Sequence, residues 1–154
     1  DRIAELNITD PLTKQIDIRM SGCPNGCSQH HIASIGFNGA AMKFNGKTVP
    51  AYLVQLGARG KGPVANFGKR LKIRIPAKRV PEAVERWLKL YESDRNEGEP
   101  FADFVERVGT TPFEDVARDL TLPVEFSEET EDMFVDWQRQ GLFEVIRGEG
   151  ECAI

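Results

Sequence analysis

Apolar and polar positions alternate in the first half of the chain. Over residues 15–20, Ile16, Ile18 and Met20 share one side and Asp17 and Arg19 the other, the period-two pattern of a half-buried strand. Ala33, Ile35 and Phe37 repeat the alternation and predict a second strand. Residues 40–44 and 52–56 predict two more, flanking Asn45-Gly46. That dipeptide suits a tight hairpin turn, although Pro50 implies a looser connection. Gly57-Ala58-Arg59-Gly60-Lys61-Gly62-Pro63 follows as a flexible basic loop. Leu71, Ile73 and Ile75 then alternate with Lys72 and Arg74, a strand with one wet, basic face.

Beyond this point the period changes. Val80, Ala83, Val84, Trp87, Leu88 and Tyr91 recur at the i, i+3, i+4 spacing of an amphipathic helix, with Pro81 in its first turn. Glu82–Arg86 and Glu85–Lys89 are i,i+4 pairs on its outer side. Trp87 and Tyr91 therefore read as core. A second helix over 101–108 buries Phe101, Phe104, Val105 and Val108 and stops at Gly109. Thr111-Pro112-Phe113-Glu114 reads as a capping box opening a third helix to about Leu120. Ser127 caps a predicted fourth, with Met133, Phe134 and Trp137 inward, and residues 143–146 form a last extended piece. Strands first and helices afterwards predict an α+β fold: a mixed sheet covered by C-terminal helices.

Composition narrows the class. The 154 residues suffice for one well-filled core, expected over 15–120 with 121–154 as an extension. At 40% hydrophobic and 29% charged residues the chain has a globular profile, and no apolar run approaches the length that spans a membrane. Three cysteines argue against a disulfide framework and fit a reducing compartment, so a cytoplasmic location is expected. The chain opens on Asp1 directly into apolar positions, which suggests a piece of a longer product.

Charge is divided sharply. Residues 18–81 contain no Asp or Glu but eleven Lys and Arg, whereas residues 82–154 carry 20 acids against seven bases. Such a stretch implies an anionic neighbour: nucleic acid, an acidic protein, a polycarboxylate cofactor, or the chain's own acidic half. A nucleic-acid surface would interleave aromatic residues among the basic ones. Only Phe67 lies between Arg59 and Arg79, which argues against that partner.

The candidate chemistry lies at the end of the first strand, in Ser21-Gly22-Cys23-Pro24-Asn25-Gly26-Cys27. Thiolates are soft ligands for iron–sulfur clusters, zinc or copper. Pro24 stiffens the turn and Gly26 frees its backbone, so that both sulfurs can point the same way. Taken alone, C-x3-C is also compatible with an ordinary turn. His30 and His31 raise zinc, but adjacent histidines diverge and zinc ligands are usually spaced more widely. Thiol–disulfide exchange favours a spacing one residue shorter. Cys152, on a Gly-rich tail, reads as a free thiol.

With Ile32-Ala33-Ser34-Ile35-Gly36-Phe37-Asn38-Gly39, Tyr52-Leu53-Val54-Gln55-Leu56-Gly57 and Phe101-Ala102-Asp103-Phe104, the cysteine motif resembles the second half of ferredoxin-type nitrite and sulfite reductases. The tail Gly148-Glu149-Gly150-Glu151-Cys152-Ala153 is similar to an ending found in some members. The resemblance implies a siroheme coupled to a 4Fe–4S cluster held by an upstream C-x5-C and a downstream C-x3-C. Cys23 and Cys27 then correspond to the downstream pair, Cys27 also bridging to the siroheme iron. Asn25, Cys27 and Arg59 are implied at the cofactors, and no catalytic residue is assigned to this chain. The upstream pair is absent, and Gly57-Ala58-Arg59 stands where members often have two consecutive glycines. The resemblance thus implies one domain, residues 1–154, forming the cluster-binding half of a longer enzyme. Its partners would be its N-terminal half, ferredoxin or a similar donor, and nitrite or sulfite. The acid-free stretch would then face carboxylate-rich siroheme or the acidic donor. The alternative is a non-enzymatic binding module whose basic face takes RNA or an acidic protein.

Overall fold

The computed structural model describes Leu6 and residues 8–23, 25–59, 65–121 and 125–145. Pro24, most of the basic loop (residues 60–64), Ile146 and the tail with Cys152 lie outside the described residues. Four strands form one mixed sheet in the order β1 (Ile18–Ser21), β2 (Ile35–Phe44), β3 (Lys47–Leu56), β4 (Lys69–Pro76). β1 and β2 run parallel, with Ile18 opposite Ile35, and the two later pairings are antiparallel. Among the described residues three helices follow: α1 (Val80–Asp94), α2 (Phe101–Val108) and α3 (Thr111–Val116). The α+β order is the one expected from the sequence.

One sheet face and the helices share the core. Ile35, Phe37, Val54, Leu56, Leu71 and Ile75 meet Val84, Trp87 and Tyr91 of α1 and Phe101, Phe104 and Phe113 of the next two helices. The buried polar ends of the large rings are satisfied, as burial demands. Trp87 Nε1–H donates to the Phe113 carbonyl (2.9 Å), and the Tyr91 hydroxyl donates to the Glu99 carbonyl (2.6 Å). Glu82–Arg86 and Glu85–Lys89 pair as expected on the outer side of α1.

Five local readings change. The segments at 33–37 and 40–44 are one ten-residue strand, β2. Its hairpin to β3 is the two-residue turn Asn45-Gly46, both residues with positive φ (47° and 78°), so the connection is tight. Pro50 sits inside β3 opposite Ala41; pairing with β4 begins only at Ala51, so its missing N–H costs no ladder bond on that side. The first strand starts at Ile18, and Met20 is 43% exposed, because β1 is a sheet edge and turns away toward the cysteine loop. The capping box does not form: Glu114 turns to the sheet and accepts the Lys72 N–H of edge strand β4 (2.9 Å), and α3 passes into a 3-10 turn, Arg118–Thr121. The predicted fourth helix is only a 3-10 turn, Glu131–Phe134. There the Thr130 side chain accepts the Ser127 N–H and donates to the Glu125 carbonyl, competing with helical bonding.

Candidate functional site

The thiol loop leaves the C-terminal end of β1 and returns across the sheet as the 13-residue connection to parallel β2. Two glycines of β2 let it lie close. A Cβ at Gly36 would stand 2.0 Å from the His30 carbonyl oxygen, and one at Gly39 would stand 2.1 Å from that of Gly22. Residues 35–39 are accordingly buried on both faces of the strand. Gly26 has φ +48°, and a Cβ there would meet the His31 ring at 2.7 Å. The Gln29 N–H donates to the Gly26 carbonyl (2.7 Å), closing the turn behind Cys27.

Beneath the loop three polar side chains meet, two of them buried and Ser28 half-buried. Ser21 Oγ lies 2.6 Å from Ser28 Oγ and 3.1 Å from His30 Nδ1, and it accepts the Ser28 N–H at 3.2 Å. Ser21 is 4% exposed and His30 1%. Burial first, and the neighbouring His31 second, hold the His30 pKa below its ordinary value. Above this group, Cys23 is half-buried, Cys27 is exposed, and neither is in a disulfide. Neither Cys23 nor Cys27 belongs to the buried core.

The two histidines raised for zinc pack on each other. His30 is committed to Ser21, with the His31 ring packed on it at 3.9 Å, and among the described residues no three His, Cys, Asp or Glu side chains converge. Asn25 sits half-buried in the loop. Arg59 is the first basic residue of the basic loop, and its N–H donates to Asn66 Oδ1 (2.9 Å). Its guanidinium is paired with Asp103 of α2, and Lys69 with Glu106 of the same helix (2.7 Å). Two of the basic residues set aside for an anionic partner thus meet the chain's own acids. Gly68 N–H donates to the His31 carbonyl (2.9 Å), which places the residue before β4 beside the connection that carries the thiols. Arg70, Lys72 and Arg74 form the exposed basic side of β4, with no aromatic residue in that strand.

The sequence motifs contain Ser21, Gly39 and Asp103 without assigning them a role, and Ser28 directly follows the cysteine motif. Serines bracketing the C-x3-C motif and small residues in the next strand were the available signals.

Fold and loop together define an α+β domain that presents two thiols from one strand end. No family model matches the chain. It is 38% identical over 110 residues to the sulfite reductase [NADPH] hemoprotein beta-component of Bacillus licheniformis, covering 71% of this chain and 18% of that protein. The protein of the same name from Staphylococcus carnosus is 41% identical over 96 residues, 62% of this chain and 15% of its own. Among solved structures, the Mycobacterium tuberculosis NirA protein superposes with a TM-score of 0.62 at 29% identity, over 73% of this chain and 20% of that one. The matched part of this chain is a domain of the nitrite/sulfite reductase type. The chain spans about a fifth of the length of these relatives.

Proposed function

We propose that this chain is the cluster-holding part of a reductase that adds six electrons to nitrite or sulfite, giving ammonia or sulfide. The observation that carries the reading is the pair of unbridged thiols on a loop already bound down at both ends, in a chain similar to sulfite reductase hemoproteins. The donor set suits a 4Fe–4S cluster in kind but supplies half of it, since a cubane takes four thiolates and two are present among the described residues. Cys23 and Cys27 would hold two of the irons, with Cys27 also reaching a siroheme iron, and the other two thiolates would come from the remainder of a longer polypeptide. When bound, cluster and siroheme supply one-electron transfer and the iron at which the anion is reduced. The residues of this chain would supply two of the thiolates, with Asn25 and Arg59 beside the cofactors. On this reading the electrons come from ferredoxin or a similar donor, and the enzyme works in the cytoplasm.

Iron, acid-labile sulfide and siroheme per chain in the intact protein test the assignment. Cys23→Ser should lose the cluster. Cys27→Ser should lose cluster and siroheme together. Full complements of both groups in the Cys27→Ser protein would overturn it.

A further inference from the structure

Ser21 is the hub of the thiol loop. Its hydroxyl has one proton and two lone pairs, and it faces three partners. One lone pair takes the Ser28 N–H at 3.2 Å. The proton and the other lone pair are shared between Ser28 Oγ at 2.6 Å and His30 Nδ1 at 3.1 Å, in either direction. The bonding capacity of this hydroxyl is therefore full, and Ser21 itself is only 4% exposed. Its position in the chain gives it leverage. Ser21 stands two residues before Cys23 and Ser28 directly after Cys27, so a single hydroxyl ties together the two ends of the segment that carries both thiols. The close approach of Gly22 to Gly39 fixes the same segment from the sheet side. None of these contacts uses a sulfur.

We propose that Ser21, Ser28 and His30 form a clasp that pre-sets Cys23 and Cys27 for capture of a thiophilic metal, with Ser21 as the positioning residue. The inference rests on the cluster-holding reading and deepens it. A loop ordered beforehand does not lose its backbone freedom at the moment of binding, and that loss would otherwise subtract from affinity. The clasp is thus a second layer of the site, acting through the ligands rather than on the metal.

Cadmium ion is the probe, titrated into the 154-residue chain in a Cys152→Ser background and followed by thiolate-to-metal absorption. Cys23→Ser and Cys27→Ser should each abolish that absorption. Ser21→Ala and His30→Leu should weaken binding roughly tenfold, the scale of about one lost hydrogen bond. His30→Asn can return an amide atom near the Nδ1 position, and it should restore affinity to within about threefold of the parent. Trp87→Phe, which loses the bond to the Phe113 carbonyl and part of a fully buried ring, should lower the melting temperature and leave cadmium affinity unchanged. Ser21→Ala binding cadmium as tightly as the parent, while melting lower, would overturn the proposal and leave the clasp a part of the fold alone. Cadmium absorption surviving both cysteine substitutions would overturn it as well. Full iron in the intact Cys27→Ser protein would remove the cluster reading beneath it, a result separable from every cadmium measurement.

Discussion

At Gly39 the strand has no room for a methyl group. An alanine Cβ there would lie 2.1 Å from the Gly22 oxygen and 2.9 Å from the Cys23 nitrogen, both backbone atoms that cannot swing away. The thiol loop must lift, or β2 must bend, and overpacking of this kind costs about 1–3 kcal/mol. Gly39→Ala should therefore lower the melting temperature and speed thiol labelling of half-buried Cys23. Gly22→Ala, with nothing within 4 Å of its Cβ, is the matched control and should do neither. Equal labelling rates in the two variants would show that the contact does not restrain the loop. The two cysteines were legible in the sequence because their spacing and neighbours form a motif. Gly39 was not, because a glycine in a strand announces that something comes close without saying what. The Arg59 partner was hidden for a related reason: Asp103 lies 44 residues away, and pairing over such a distance follows from how α2 packs, not from local pattern.

Two carboxylates strap the elements around the end of α1. Asp10 receives two bonds from Arg95 (2.6 and 2.7 Å) and the N–H and hydroxyl of Thr13, joining the N-terminal segment to the helix end. Glu99 receives two from Arg107 (both 2.7 Å) and the Asn96 N–H, closing the α1–α2 turn. Arg95 chiefly holds the Asp10 carboxyl well below the usual range, and Arg107 chiefly holds that of Glu99 down to about 2. Both folded values lie under the unfolded ones, so the folded chain binds fewer protons. The stabilisation is present above about pH 4.5 and is lost as pH falls toward 2. An Asp10→Asn/Glu99→Gln variant should start with a lower melting temperature at pH 6 and lose less of it by pH 3 than the parent. Parallel pH profiles would place the acid sensitivity elsewhere. Elements with long, regular apolar periods, such as β4 and α1, were legible. The capping box and the fourth helix were not, because Glu114 and Thr130 spend their hydrogen bonds on other partners.

For the whole chain, the charge division resolves partly inward. Arg59–Asp103 and Lys69–Glu106 join the acid-free stretch to the acidic helices, but both pairs are partly exposed and such pairs contribute only about 0–1 kcal/mol each. Stability comes instead from the apolar cluster between sheet and helices, to which neither Cys23 nor Cys27 belongs. The two thiols are therefore separable in energy from the core, and the 154-residue chain should fold without a metal. Phe104→Ala removes a fully buried ring that packs on Tyr91 and Phe113 and should cost about 3–5 kcal/mol. The double variant Cys23→Ser/Cys27→Ser should stay within about 0.5 kcal/mol of the parent, or roughly 1–2 °C for a chain of this size. Thermal unfolding followed by circular dichroism in the presence of a chelator compares the three proteins directly. A cooperative transition of normal height in the double serine variant is the expected result. Its disappearance would mean that the sheet and helices need an occupied thiol loop to hold together.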